Sequence, residues 1–121
     1  MQTDTRTFQV LVVEDEGMVA MLLEDMLADL GHQVVATAGS IEQASELVAE
    51  GGFTLAILDV NLNGHRTYPL AEALTEKAIP FVFATGYGRS GLEEKWKSKP
   101  VLQKPFTEQD LKRVIRSATE S

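Results

Sequence analysis

Two kinds of apolar segment alternate along this chain, and the alternation restricts its fold more than any other feature. Short runs rich in Val, Ile, Phe and Leu stand at 8–13, 33–37, 53–58, 81–84 and 101–102. Three of them are apolar almost throughout, which suits strands buried on both faces. Between them lie segments of helical period. Val19, Leu22, Leu23, Met26, Leu27 and Leu30 recur at helical spacing, and Gly31 stops that helix. Ser40 with Gln43 forms a capping-box pattern ahead of Ile41, Ala44, Leu47 and Val48, and Gly51-Gly52 ends the stripe. Pro69 suits the first turn of a third helix carrying Leu70, Ala73 and Leu74. Thr107 caps a last helix with the stripe Leu111, Val114, Ile115 and Ala118.

Five β–α units in series imply a parallel sheet with helices on both faces. Right-handed crossovers then favour a flavodoxin-like (βα)5 three-layer sandwich, its five strands in the order 2-1-3-4-5. The 121 residues suit one domain and show no linker, repeat or low-complexity tract, so a single domain over 1–121 with no output domain is expected. The fourth unit is out of character. Its helix should fall within 86–97, where Gly86, Gly88 and Gly91 crowd the start and only Leu92 and Trp96 offer apolar anchors. An internal glycine costs about 1 kcal/mol against alanine, so this helix is expected to be short, late-starting or frayed.

Composition narrows the function. Eleven Lys and Arg against eighteen Asp and Glu give a net charge of −7, which disfavours general affinity for nucleic acid or an anionic membrane. There is no cysteine, hence no disulfide, thiolate metal site or cysteine nucleophile. The first six residues carry no long apolar stretch, so neither a leader nor a membrane span is expected, and the chain reads as cytoplasmic.

In open parallel sheets, sites form beyond the carboxyl ends of the strands, where the strand order reverses. Glu14, Asp15 and Glu16 follow the first strand, Asp59 and Asn61 the third, Thr85 the fourth and Lys104 the fifth. Each has an ordinary structural role open to it: Asp15 as a helix cap, Asp59 as a turn former, Lys104 as a surface charge. Their shared place at one sheet edge argues for a site instead. Close carboxylates repel one another unless a cation intervenes, and a few hard oxygen ligands open to solvent suit Mg²⁺. Lys104 and the Thr85 hydroxyl could hold oxygens of an incoming phosphoryl group. The set suits covalent phosphorylation of an aspartate.

The runs Val10-Leu11-Val12-Val13-Glu14-Asp15, Leu55-Ala56-Ile57-Leu58-Asp59-Val60-Asn61-Leu62 and Lys104-Pro105-Phe106 resemble the receiver domain of two-component response regulators over essentially the whole chain. The resemblance implies Asp59 as phospho-acceptor, Asp15 as direct Mg²⁺ ligand and Glu14 as a second acid reaching the metal through water. It further implies a backbone carbonyl from Asn61, Thr85 as the switch hydroxyl, Lys104 as the phosphoryl-binding lysine, and a cis Lys104–Pro105 bond. The stretch from Pro80 through Phe83-Ala84-Thr85-Gly86-Tyr87 to Gly88 is similar to a group of stand-alone receivers with a Phe-Ala-Thr-Gly-Tyr-like motif. Val101 stands where many receivers carry the aromatic ring that turns inward with the switch threonine, and Tyr87 is the candidate to take part of that role.

The implied protein is a signalling receiver that catalyses only its own phosphorylation and dephosphorylation. It takes its phosphoryl group from a sensor histidine kinase or phosphotransferase. A change in 86–99 then alters binding of a downstream regulatory protein, or the chain serves as a phosphate sink. Tyr87 and Trp96 fall on the face where receivers meet partners, although Trp96 serves equally well as a core anchor. Lys95, Lys97 and Lys99 read first as a solvated face, and His32 and His65 as surface or turn residues. Two other functions stay open: a haloacid-dehalogenase-type phosphatase, which expects an acid where Asn61 stands, and a docking module that needs no phosphate.

Overall fold

A computed structural model describes residues 6–120; residues 1–5, on which the expectation of no leader rests, and residue 121 lie outside them. Among the described residues, seven strands and four α-helices follow one another as β1 (Gln9–Val13), α1 (Gly17–Asp29), β2 (Gln33–Ala38), α2 (Ile41–Glu50), β3 (Leu55–Asp59), β4 (Asn61–Leu62), β5 (His65–Arg66), α3 (Tyr68–Glu76), β6 (Phe81–Thr85), β7 (Val101–Gln103) and α4 (Glu108–Thr119). Five strands form one parallel sheet in the order β2-β1-β3-β6-β7. That is the expected 2-1-3-4-5 once the small β4–β5 hairpin is set aside.

β3 and β6 are buried at every position, and β1 at all but its first, as apolar central strands with both faces covered should be. Alternate residues feed two cores. Val10, Val12, Leu55, Ile57 and Val82 meet Leu23 and Leu27 of α1 and Leu111 and Ile115 of α4. Leu11, Val13, Leu58, Phe81 and Phe83 meet α2, α3 and the segment after β6. The period of two along each strand assigns these faces before any helix docks.

The helix signals hold with one shift. The Ser40 hydroxyl accepts the Gln43 N–H at 3.1 Å, but the Gln43 side chain reaches past Ser40 to accept the Gly39 N–H at 3.0 Å. The fourth unit departs from the five-unit plan. In place of a helix, residues 86–99 hold two short 3-10 turns, Gly88–Gly91 and Glu94–Trp96. The physical reason is the composition noted above: glycines that favour no helix, and two apolar anchors that place the segment without winding it.

Trp96 is one of those anchors. It is only 3% exposed, stacked on Tyr68 at 6.0 Å between centroids and edge-on to Phe81 and Phe83. The expectation that Trp96 lies on the partner face is therefore corrected. Its ring is large enough to close the sheet face that a regular fourth helix would have covered. Tyr87, by contrast, stands 77% exposed.

Candidate functional site

The carboxyl ends of β1, β3, β6 and β7 lie side by side, and each delivers its polar residue to one edge. Glu14 leaves β1 with its N–H on the Ala38 carbonyl at 2.9 Å. Its Oε2 accepts the Glu16 N–H at 3.1 Å, which fixes the entry into α1, whose N-cap Glu16 makes no side-chain cap of its own. Asp15 does not cap α1 either. Its Oδ2 accepts the N–H of Asn63 at 3.1 Å, from across the edge.

Glu14, Asp15 and Asp59 each bring a carboxylate oxygen within 4.8 Å of the others'. Lys104 is the cation that tempers them, with its Nζ 2.9 Å from Glu14 Oε1 and 3.2 Å from Asp59 Oδ2. Three carboxylates against one ammonium leave the cluster short of positive charge. Burial foremost, and then the Glu14 charge, push the Asp59 carboxyl up from 3.8 to about 6; Lys104 and the Asn61 N–H, 3.2 Å from Oδ1, pull the other way. Burial alone would lower the Lys104 ammonium. Its hydrogen bond to Glu14 and the charges of Asp59 and Glu14 outweigh that and hold it above its usual 10.5. A cluster of hard oxygen donors with unbalanced negative charge and one exposed member, Asp15, fits Mg²⁺.

Asn61 and Thr85 join Asp59 around an adjoining cleft of about 480 Å³, which Tyr87 and Gly91 also line. The Thr85 hydroxyl accepts the Tyr87 N–H at 3.1 Å, and the Thr85 carbonyl accepts the Lys104 N–H at 2.9 Å. The Lys104–Pro105 peptide is cis. The structure thus gathers Glu14, Asp15, Asp59, Asn61, Thr85, Lys104 and Tyr87 at one edge, and Trp96 alone of the expected residues lies elsewhere, in the core.

Sequence reasoning missed the β4–β5 hairpin. Asn63 and Gly64, at φ 53° and 84°, make its two-residue turn, and Asn-Gly between short strands is the strongest local hairpin signal. Asn63 ties that turn to Asp15 through its N–H and to the Gly39 carbonyl through its side chain at 3.0 Å. Behind the turn, the buried Thr67 hydroxyl donates to the Asp59 carbonyl at 2.7 Å. The hairpin also carries Arg66 to the rim of the Asp59 cleft. Neither Arg66 nor Thr67 could be placed there without the turn.

A parallel sheet of this order, with an acidic cluster and a lysine at its switch point, has the architecture of a receiver domain. Residues 10–116 match the family model of the response regulator receiver domain, and the chain belongs to that family. Membership sets aside the phosphatase alternative. The transcriptional regulatory protein PdtaR of Mycobacterium tuberculosis is 32% identical over 107 residues, which cover 85% of this chain and 52% of PdtaR. The chain thus spans about half the length of the curated relatives it matches. Among solved structures, SdrG from Sphingomonas melonis Fr1 is similar at 43% identity and a TM-score of 0.84, over 91% of this chain and 94% of SdrG. The BeF3-activated conformation of SdrG, from Pseudomonas melonis Fr1, is similar at 44% identity and a TM-score of 0.79, over 90% of this chain and 93% of that one. Among the described residues no helix is long and apolar enough to cross a membrane.

Proposed function

We propose that this chain is a single-domain response regulator whose Asp59 is the phospho-acceptor. One observation carries the reading: three carboxylates meet within 4.8 Å at the carboxyl edge of a 2-1-3-4-5 sheet, with Lys104 joining two of them. An Asp59 carboxylate oxygen attacks the phosphorus of a phosphohistidine. The P–N bond breaks, its electron pair stays with the imidazole, and an acyl phosphate forms. Lys104 holds one phosphoryl oxygen as a point charge, and the Thr85 hydroxyl donates to another. Glu14, Asp15, Asp59 and the Asn61 carbonyl are the residues that would hold Mg²⁺, which neutralises charge on the transferring group. The chain's catalysis is confined to its own phosphorylation and hydrolysis.

The phosphodonor is a sensor histidine kinase or phosphotransferase. The face it would meet adjoins the acidic cluster, where Met18, Met21 and Leu22 stand exposed on α1 and offer apolar area beside the acceptor. The signal leaves through 86–99. A phosphoryl oxygen that accepts from the Thr85 hydroxyl draws Oγ1 toward Asp59 and away from the Tyr87 N–H that it now accepts. Tyr87 is exposed and positioned to meet a downstream regulatory protein. A sink that only drains phosphate from another receiver would need no such change.

Intact-protein mass after treatment with a small acyl phosphate and Mg²⁺ tests the acceptor. One added phosphoryl group is expected in the wild type and none in Asp59→Asn. A gain of mass by the variant would overturn the assignment, and a partner bound equally with and without phosphate would favour the docking module.

A further inference from the structure

We propose that Arg66 is a second cation of the acceptor site, and that it leaves the Gly91 carbonyl for the phosphoryl group when Asp59 is phosphorylated. Its departure releases the Gly88–Gly91 turn, so Arg66 couples the charge on Asp59 to the order of the segment after β6. The inference rests on Asp59 being the acceptor and adds a positioning residue to that site.

The placement comes from the hairpin. Arg66 ends β5 opposite Asn61, two residues beyond Asp59. It lines the same cleft as Asp59, Thr85, Tyr87 and Gly91, and among the described residues it is the only basic one lining it. Lys104 is already shared between Glu14 and Asp59. A new dianion at Asp59 would therefore find one cation engaged with two carboxylates and a second, exposed cation across the cleft.

The present bond of Arg66 is a weak one. Its Nη1 donates to the Gly91 carbonyl at 3.4 Å, near the limit of a hydrogen bond, and the acceptor is neutral. A phosphoryl group adds about −1.5 to −2 charges and three strong acceptor oxygens. The planar fork of a guanidinium suits such a group better than a single carbonyl. The charge exists in one state only, so Arg66 has the differential affinity that any switching contact needs.

Gly91 is where the two halves of the switch meet. A Cβ there would lie 2.9 Å from the Tyr87 Cβ and 3.2 Å from the Thr85 Oγ1. The turn is thus seated directly on the switch hydroxyl. Two polar contacts tie it to the rest of the cleft, Arg66 to the Gly91 carbonyl and the Tyr87 N–H to Thr85, and within it the Ser90 hydroxyl donates to the Tyr87 carbonyl at 2.8 Å. The phosphoryl group competes with the Gly91 carbonyl for Arg66, and by accepting the Thr85 O–H it pulls Oγ1 away from the Tyr87 N–H. Losing both contacts loosens the cleft side of 88–91, while Arg89 stays bonded to the Lys97 and Lys99 carbonyls and Leu92 and Trp96 stay anchored in the core.

The test compares the wild type with Arg66→Gln, Arg66→Ala and Arg66→Lys, each before and after treatment with a small acyl phosphate and Mg²⁺. Intact mass reports acceptance, the Arg66 Nε–H resonance reports the guanidinium, and amide exchange at 88–92 reports the turn. In the wild type, phosphorylation should move the Nε–H resonance and speed exchange at 88–92 by about fivefold or more, the equivalent of one exposed hydrogen bond. Arg66→Gln and Arg66→Ala should accept the phosphoryl group several-fold more slowly, exchange faster at 88–92 from the outset and respond little to it. Arg66→Lys, which keeps the charge, should recover part of the response. A phosphorylated wild type whose Arg66 resonance does not move, or a Gln and Ala pair with the full wild-type response at 88–92, overturns the role of Arg66 alone. A wild type that gains no mass overturns the acceptor reading and this inference with it.

Discussion

Helix α4 and the segment at 86–99 are similar in length and flank the same edge strand, β7, yet they are held in opposite ways. In α4 the Thr107 hydroxyl accepts the Asp110 N–H at 3.1 Å and Asp110 Oδ2 accepts the Thr107 N–H at 2.9 Å, a complete capping box. Leu111 and Ile115 lie one turn apart on its buried face. Local signals and packing agree, so the helix has one low-energy form. Segment 86–99 borrows its order from elsewhere. The Tyr68 hydroxyl accepts the Glu93 N–H at 2.9 Å, and the Arg89 guanidinium clamps the carbonyls of Lys97 and Lys99 at 2.7 and 2.8 Å. Lys95 pairs with Glu72, the Lys99 ammonium sits 5.6 Å over the Phe81 ring, and Trp96 fills the core. A segment fixed by a few tertiary contacts can be reset by changing one or two of them. A self-sufficient helix cannot.

The sharpest way to break the comparison is to remove the anchor. Trp96→Ala should cost about 3–5 kcal/mol, in the range for burying and then deleting a large aromatic, and should unprotect 86–99 in amide exchange while α4 stays protected until global unfolding. Urea denaturation gives the first number and site-resolved exchange the second. If α4 loosens with 86–99, the two regions are one cooperative unit and the contrast is wrong.

The acidic cluster, fixed on the rigid strands, should show the next largest effect. The native protein binds the Asp59 proton more tightly than the unfolded chain does, because the folded value of about 6 exceeds 3.8. Stability contributed by the protonated form is therefore full below about pH 4 and is lost as pH rises through 6. Asp59→Asn should remove that slope and stabilise the metal-free protein at pH 7–8 by about 2–3 kcal/mol. Chemical denaturation in a chelating buffer across pH 4–8 measures both. Parallel curves for variant and wild type would show that the carboxylates are not strained.

A smaller effect, confined to the borrowed segment, is expected at Gly91. Gly91→Ala places a methyl against Tyr87 and the Thr85 hydroxyl and should cost about 1–2 kcal/mol by overpacking. Faster exchange at 88–92 without phosphate would be its mark, and unchanged exchange would show that the turn already yields. The smallest effect belongs to α4. Thr107→Ala should cost about 1 kcal/mol or less through the lost cap and leave the phosphorylation response of 86–99 intact, as distant sites with no shared partner add independently. A thermal melt and the same exchange experiment check it.

Most of the site was legible because it lies at strand ends. Glu14, Asp15, Asp59, Thr85 and Lys104 each follow an apolar run, and a parallel sheet must present such positions at one edge. The period of two assigned the buried faces, and the caps at Ser40 and Thr107 marked two helix starts within a residue. What the sequence left open has a common physical cause. Trp96 could pack inward or face a partner because a lone aromatic in a glycine-rich stretch has no periodicity to orient it; the gap beside Tyr68, Phe81 and Phe83 decided. Asn63-Gly64 announced a turn, but only the folded chain brings that turn against Asp15 and Gly39, and Arg66 into the cleft that Asp59 lines. Local pattern determines elements and their faces, because it acts through neighbours in sequence. Which distant side chain fills a gap or reaches across a cleft depends on volumes and charges that exist only once the sheet has formed.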